Sequence, residues 1–251
     1  MPDRFFYSSL IDQDGVSLDG AEAHHLIHVL RAKPGLEVTL FDGSGAEFLA
    51  RVERVERSAV RLAILDRHAV DRERSVQITL GVAMPKGDRQ RWLVEKATEL
   101  GVACLTPLIT ARGVAQPSGE ALRRFERTVI EASKQSGRNR LMRISAPLGW
   151  HDFVVGAASQ QPEARSGALA EWLGSAPRYF AHPGGAAAMA EIADEMRAAR
   201  EVVLAVGPEG GFVDAEAQQA LDAGWRAIDL GPRILRVETA ALAIVAGCCR
   251  L

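Results

Sequence analysis

Residues 202–250 constrain the fold more than any other stretch: VVLAVGPEGGFVDAEAQQALDAGWRAIDLGPRILRVETAALAIVAGCCR, with Cys249 closing it beside Arg250. Two apolar runs, VVLAV and AIDL, each end in a glycine-bearing loop, and each loop feeds a segment of helical character. An uninterrupted apolar run of about five residues between Gly and Pro suits a strand buried on both faces. Strand, loop and helix, repeated in that order, imply parallel strands with both loops at their carboxyl ends. In open α/β sheets that edge is where ligands bind. The stretch therefore predicts a small-molecule pocket built from GPEGGF (207–212) and GPRILRVETA (231–240).

Each loop carries its own chemistry. In GPEGG the glycines let backbone amides approach a ligand closely. No Lys-Ser/Thr pair follows, so it is not a phosphate-binding P-loop, and its spacing is not the GxGxxG dinucleotide fingerprint. A plain tight turn is the competing reading. The carboxylate of Glu209, held inside the turn, favours a partner with hydroxyls or positive charge. The second loop sets Arg233, Arg236, Glu238 and Thr239 around Ile234 and Leu235. A surface Arg–Glu pair would contribute little, but an apolar pair beside glycines suits a flat, uncharged ring such as adenine.

At 251 residues the chain can bury a full core, as one large domain or two smaller ones. Its periodicity changes near residue 70. Before that point, short alternating runs (VSLD, EVTLFD, EFLARVERV, AVRLAIL) are separated by turn signals at Pro34-Gly35 and DGSG (42–45). They predict a small β-rich module over 1–70, with one helix at 20–31 that places Leu26, Val29 and Leu30 on one face. The polar segment 67–75 reads as a linker. Strands and helices then alternate. The strands fall at 76–84, 102–110, 143–147 and 178–183. The helices run from Asp88 as N-cap to Gly101 at C′, over 118–137, and over 186–199. Residues 157–177, rich in Ala, Ser, Gly, Gln and Pro, read as a mobile surface insertion. The expected architecture over 71–251 is an α/β domain with a mostly parallel sheet.

A formal net charge of −2 argues against a generally basic nucleic-acid binder, but the charge is uneven. Arg51, Arg54, Arg57, Arg61, Arg67, Arg72 and Arg74 crowd one segment; Arg123, Arg124, Arg127, Lys134, Arg138, Arg140 and Arg143 crowd another. Local basic patches decide polyanion binding more than net charge does. Arg123, Arg127, Glu131, Lys134 and Arg138 recur at helical spacing, which fits either a solvated face or phosphate contacts. The excess of Arg over Lys favours phosphate. His24 and His28, four residues apart, could share a metal, but no third ligand is evident nearby, so no metal is expected. His25 and Arg31 on the same segment suggest an RNA-facing or a packing role. His182 is either a loop histidine or a pocket residue. Cys104, Cys248 and Cys249 fit neither a disulfide framework nor a metal site; small buried apolar roles and a reducing cytoplasm are expected. No run approaches the ~20 apolar residues of a membrane span. The amino end, MPDRFFYSSLID, is unlike a secretory leader.

Nearly end to end, the chain resembles the RsmE family of small-subunit ribosomal RNA methyltransferases, within the SPOUT superfamily. The resemblance rests on RFF (4–6), HHLIHVLRAKPG (24–35), PKGDRQRWLVEKATELGV (85–102) and EASKQSGR (131–138). It is most specific at VGPEGGF (206–212) and LGPRILRVETAAL (230–242). It implies a PUA-like β-barrel that helps grip RNA, followed by a SPOUT domain with a carboxyl-terminal trefoil knot in place of an ordinary doubly wound sheet. It further implies transfer of a methyl group from S-adenosyl-L-methionine to N3 of a uridine in 16S rRNA, by a homodimer paired through the knotted domains.

Carried over by motif, the cofactor pocket would be formed by Val206, Gly207, Pro208, Glu209, Gly210 and Gly211, with Leu230, Gly231, Pro232, Arg233, Ile234, Leu235 and Arg236. Attack by the uridine N3 requires loss of its imide proton and stabilisation of charge spreading onto O2 and O4. Arg138 or Arg236 is the expected cation, and Glu238 or Glu209 the expected proton acceptor. RNA contacts are expected from His25, Arg31, Arg123, Arg124, Arg127 and Arg138. A non-catalytic RNA-binding adaptor on the same fold is the alternative, disfavoured by the intact loops.

Overall fold

The period-two alternation of the first seventy residues forms a curled, open five-stranded sheet in the computed structural model, which describes residues 3–12, 14–156, 176–184 and 187–248. Most of the expected insertion at 157–177, and Cys249, lie outside the described residues. The chain divides into two units: Met1–Glu73 with Ile130–Leu141, and Arg74–Val129 with Met142–Leu251.

In the first unit the strands are β1 (Arg4–Phe6), β2 (Gly15–Leu18), β3 (Glu37–Phe41), β4 (Glu47–Val55) and β5 (Val60–His68), ordered β1-β3-β4-β5-β2. All pairings are antiparallel except β1 with β3. Alternate side chains (Val38 and Leu40; Phe48, Ala50 and Val52; Val60 and Leu62) turn onto one core with Phe5, Leu18 and Leu26. The expected helix at 20–31 is two pieces, α1 (Gly20–His24) and a π-helix over His25–Val29, in which Leu30 N–H donates to the His25 carbonyl at 3.0 Å. In the wider π turn each residue advances less around the axis. Val29 therefore swings off the Leu26 face and stands 63% exposed, which corrects the expected three-residue apolar stripe.

The segment expected as a linker is tied down by charge. Glu47 Oε2 accepts from Arg4 and from Arg72, both at 2.8 Å, and Arg138 Nη2 donates to Glu73 at 2.6 Å. Asn139 Nδ2 donates to the Val70 carbonyl at 3.0 Å. Burial pushes the Glu47 carboxyl up, but the hydrogen bonds from Arg72 and Arg4 outweigh it and hold the group at about 2.

The second unit contains β6 (Gln77–Val82), α2 (Arg89–Glu99), β7 (Val102–Ile109), β8 (Arg143–Ile144), β9 (Leu148–Gly149), α4 (Trp150–Gly156), β10 (Arg178–Ala181), β11 (Ala187–Ala188), α5 (Met189–Ala198), β12 (Glu201–Val206), α6 (Asp214–Asp222), β13 (Arg226–Asp229) and α7 (Val237–Gly247). Helix α3 (Gly119–Ser136) begins here and ends among the residues of the first unit. The strands run in the order β11-β13-β10-β12-β6-β7-β8, all parallel. Every residue of β12 is buried, as its two-faced apolarity requires. Val203 and Ala205 face an aromatic cluster of Trp150, Phe153, Phe180, Phe212 and Trp225. After β13, α7 returns to pack against α2, α5, β6 and β12. No helix of the described residues is long and apolar enough to cross a membrane.

Candidate functional site

Strands β12 and β13 do not touch; both pair in parallel with β10, which lies between them. Three carboxyl ends, and not two, therefore open onto one place. The loops following them enclose a cavity of about 290 Å³ lined by both expected stretches, 206–211 and 230–235. Ala181, His182, Pro183, Asp229, Val237 and Ala240 complete the lining. His182 is thus a pocket residue, its ring set edge-on to Phe180 at 5.9 Å between centroids. Asp229 was not among the expected site residues; its Oδ1 accepts from the Gly231 N–H at 2.7 Å and shapes the turn out of β13. Asp229 stands one residue before the expected second stretch, whereas His182 is brought in by the position of β10.

Backbone geometry explains the glycines of the first loop. A Cβ on Gly207 would lie 3.1 Å from the ring of Phe212, which folds back to stack on Trp150 at 4.2 Å between centroids. Gly211 has φ of 69°, and its N–H donates to the Pro208 carbonyl at 2.8 Å. Arg112 Nη1 holds the loop from outside by donating to the Gly210 carbonyl at 2.6 Å. The second loop presents Leu235 half-buried, while Ile234 stands 97% exposed on the lip. The expected Ile-Leu pair is therefore split between the lip and the interior. Arg236 does not line the cavity, contrary to expectation. It occupies the N-cap of α7 in extended conformation, with its side chain exposed.

Glu238, in the first turn of α7, is only 6% exposed and also lies off the lining. Its Oε1 is 3.6 Å from Arg89 Nη1, and its Oε2 is buried with no hydrogen-bond partner. Arg89 Nη2 is in turn 3.6 Å from Oε1 of Glu209, which does line the cavity. Arg89 opens α2 directly after Asp88, whose carboxylate occupies the N-cap position without a capping hydrogen bond.

Residues 72–248 match the family model described as an RNA methyltransferase domain, and residues 18–65 match the RNA methyltransferase PUA domain. The chain is 33% identical over 225 residues to ribosomal RNA small subunit methyltransferase E of Synechocystis, covering 90% of this chain and 69% of that relative. Against the Mycobacterium bovis protein of the same name, identity is 32% over 94% of this chain and 87% of the relative. The chain belongs to the ribosomal RNA small subunit methyltransferase E family. A Legionella pneumophila protein solved with bound cofactor SAM superposes with a TM-score of 0.82 at 31% identity, covering 98% of this chain and 96% of that one. The Neisseria gonorrhoeae methyltransferase E, bound to S-adenosyl methionine, gives 0.80 at 31% identity, covering 98% and 95%. The second unit accordingly has the α/β trefoil-knot SPOUT fold, preceded by a PUA-like module.

Among the residues expected to meet RNA in this methyltransferase E family member, the structure separates two groups. Arg31, Arg123, Arg124 and Arg127 are exposed, with Arg124 donating to Glu120 at 2.7 Å. His25 packs, its ring edge-on to Phe5 at 5.5 Å. Arg138 is 4% exposed, with Nε and Nη2 both donating to Glu73. A guanidinium so enclosed offers no face to a phosphate or to a uracil, which corrects both roles expected of it. Lys134 is buried likewise, bonded to Glu22 at 3.0 Å and Glu131 at 3.2 Å. The charged stripe on α3 is continuous in sequence and divided in space. The rings of His24 and His28 lie 4.6 Å apart, and among the described residues no group of three or more His, Cys, Asp or Glu gathers as a metal set. Cys104 and Cys248 are buried, and the Cys248 thiol donates to the Ile244 carbonyl at 3.4 Å.

Proposed function

We propose that this chain binds S-adenosyl-L-methionine in the cavity at the ends of β10, β12 and β13, and methylates N3 of a uridine in 16S rRNA of the small ribosomal subunit. The observation that carries the reading is the convergence of three strand-end loops on one cavity with apolar walls and an acidic rim. Val206, Leu230, Leu235, Val237 and Ala240 offer apolar surface for an adenine, and the glycine turns offer backbone groups for its edge. Glu209 and Asp229 place carboxylates where a cationic sulfonium, an ammonium or ribose hydroxyls would be favoured. When bound, the cofactor supplies an electrophilic methyl group on sulfur, with the electron pair of the broken bond remaining on sulfur as N3 takes the carbon. The protein must then position the uracil and accept the N3 proton. Of the two carboxylates at the cavity, Asp229 is engaged by the Gly231 N–H, and Glu209 is the one for that proton; Glu238 is buried and off the lining.

In this reading, residues 1–70 form the RNA-gripping module and residues 71–251 the methyl-transfer domain. The exposed arginines of α3 add phosphate contacts, and the enzyme works as a homodimer through its knotted domain in the cytoplasm, where ribosomal subunits are. Calorimetric titration with S-adenosyl-homocysteine should give a saturable isotherm with one site per chain; the absence of binding heat and of any thermal stabilisation would sink the reading and favour the adaptor. Nucleoside mass spectrometry of 16S rRNA from cells lacking the protein should show one N3-methyluridine missing.

A further inference from the structure

Methyl transfer at N3 calls for a cation facing the pyrimidine oxygens as negative charge spreads onto them, and neither expected arginine supplies it. Arg138 donates twice to Glu73; Arg236 and Arg89 both lie off the cavity lining, but of the two Arg89 is the one paired with a carboxylate of the rim. The Arg89 side chain is 39% exposed, and it lies 3.6 Å from Glu209 at the cavity rim and 3.6 Å from Glu238. Both separations exceed hydrogen-bonding distance, and among the described residues the guanidinium makes no side-chain hydrogen bond. A guanidinium carries five N–H donors in a fixed fork, so it is held by charge from two sides while its donors stay free. Glu238 supplies the second observation. A buried carboxylate with a bare oxygen is unfavourable in itself, and its nearest cation is the one that reaches the rim.

We infer that Arg89 faces the uracil in the methyl-transfer site and donates to the oxygen flanking N3, and that Glu238 is a positioning residue that holds Arg89 there against the pull of Glu209. This rests on the methyl-transfer reading above. Rotamer freedom explains the arrangement: a long side chain at the first turn of a helix samples many positions, and two carboxylates on opposite sides restrict it before substrate arrives. Donors already in place when the charge develops need no reorganisation during the reaction.

The test uses the full-length protein, methyl-labelled S-adenosyl-L-methionine and small subunits from cells lacking the enzyme. Arg89→Gln should lower kcat by about 100-fold or more. Its Kd for S-adenosyl-homocysteine should stay within about threefold of wild type, a change of under about 0.7 kcal/mol, which also reports that the variant is folded. Arg89→Lys keeps the charge without the fork and should fall between the two. Glu238→Gln should lower kcat with Kd unchanged, and should add nothing further in the Arg89→Gln background. An active wild type with full kcat in Arg89→Gln, or with cofactor affinity lost at unchanged kcat, overturns the assignment of Arg89. Independent, multiplying effects of the two substitutions overturn the positioning role of Glu238. A wild type that neither binds the homocysteine analogue nor methylates sinks the methyl-transfer reading itself.

Discussion

Gly207 and Gly211 sustain the same loop for different reasons. Gly207 leaves room for the returning ring of Phe212, whereas Gly211 adopts a positive φ of 69° that a side chain resists. Gly211→Ala should cost about 1–2 kcal/mol of stability in urea unfolding and weaken binding of S-adenosyl-homocysteine, because the strained turn relaxes away from the cavity. His182 gives a second prediction at this scale. Its ring forms part of the wall, so His182→Ala should raise the Kd for S-adenosyl-homocysteine about three- to tenfold, the loss of one contact of about 1 kcal/mol, while leaving the melting temperature close to wild type. An unchanged Kd would show that the ring only borders the cavity.

At the scale of elements, α3 shows how far a helical pattern can be trusted. Its extent follows from periodicity: the expectation of 118–137 and the observed Gly119–Ser136 nearly coincide. Its surroundings do not follow, because a period of 3.6 residues tells which side chains share a face and not what that face meets. Arg123, Arg124 and Arg127 meet solvent, while Lys134 meets Glu22. Replacing the three exposed arginines together by Ala should weaken RNA binding and flatten the dependence of log K on log salt by about 2–3 units of slope. Binding of S-adenosyl-homocysteine should be unaffected. Filter binding across a salt series measures the first, calorimetry the second. The same distinction governs the site. The two glycine loops could be read directly, since a buried apolar run and its turn are local in the chain. The position of β10 between β12 and β13 could not, because lateral strand order depends on packing among residues far apart in sequence. That position decides for the pocket in the case of His182, which the chain alone leaves as either a loop or a pocket residue. Likewise the π-turn at His25–Val29 uses residues that an α-helix would accept equally well.

For the molecule as a whole, the pairing of charges within the first unit sets a pH limit. Glu47 is held at about 2, below its ordinary value of 4.5, so the unfolded chain takes up the proton first as pH falls. The contribution is present in full above about pH 4.5 and is lost as pH drops towards about 2. Glu47→Gln should therefore lower stability at pH 7 by on the order of 2–3 kcal/mol. It should also remove part of the acid sensitivity in that window, as followed by thermal melts between pH 7 and 3. A variant that melts as wild type at pH 7 would show that Arg4 and Arg72 find other partners. Composition and motif order revealed that two kinds of architecture share this chain, but not that Ile130–Leu141 would join the first seventy-three residues, since that union is made by Lys134 with Glu22, Arg138 with Glu73 and Asn139 with Val70.

The same union has a consequence in time. A module closed by a distant segment cannot finish folding when its own first stretch has been made; it waits for Leu141, some 68 residues after Glu73. At about 5–20 residues per second the delay on the ribosome is roughly 3–14 s. During that interval Glu22 lacks Lys134 and Glu73 lacks Arg138, and the nascent sheet is held by its own strand pairing, its apolar face and the pairs of Glu47 with Arg4 and Arg72. Excising residues 1–75 as an independent fragment would make that waiting state permanent.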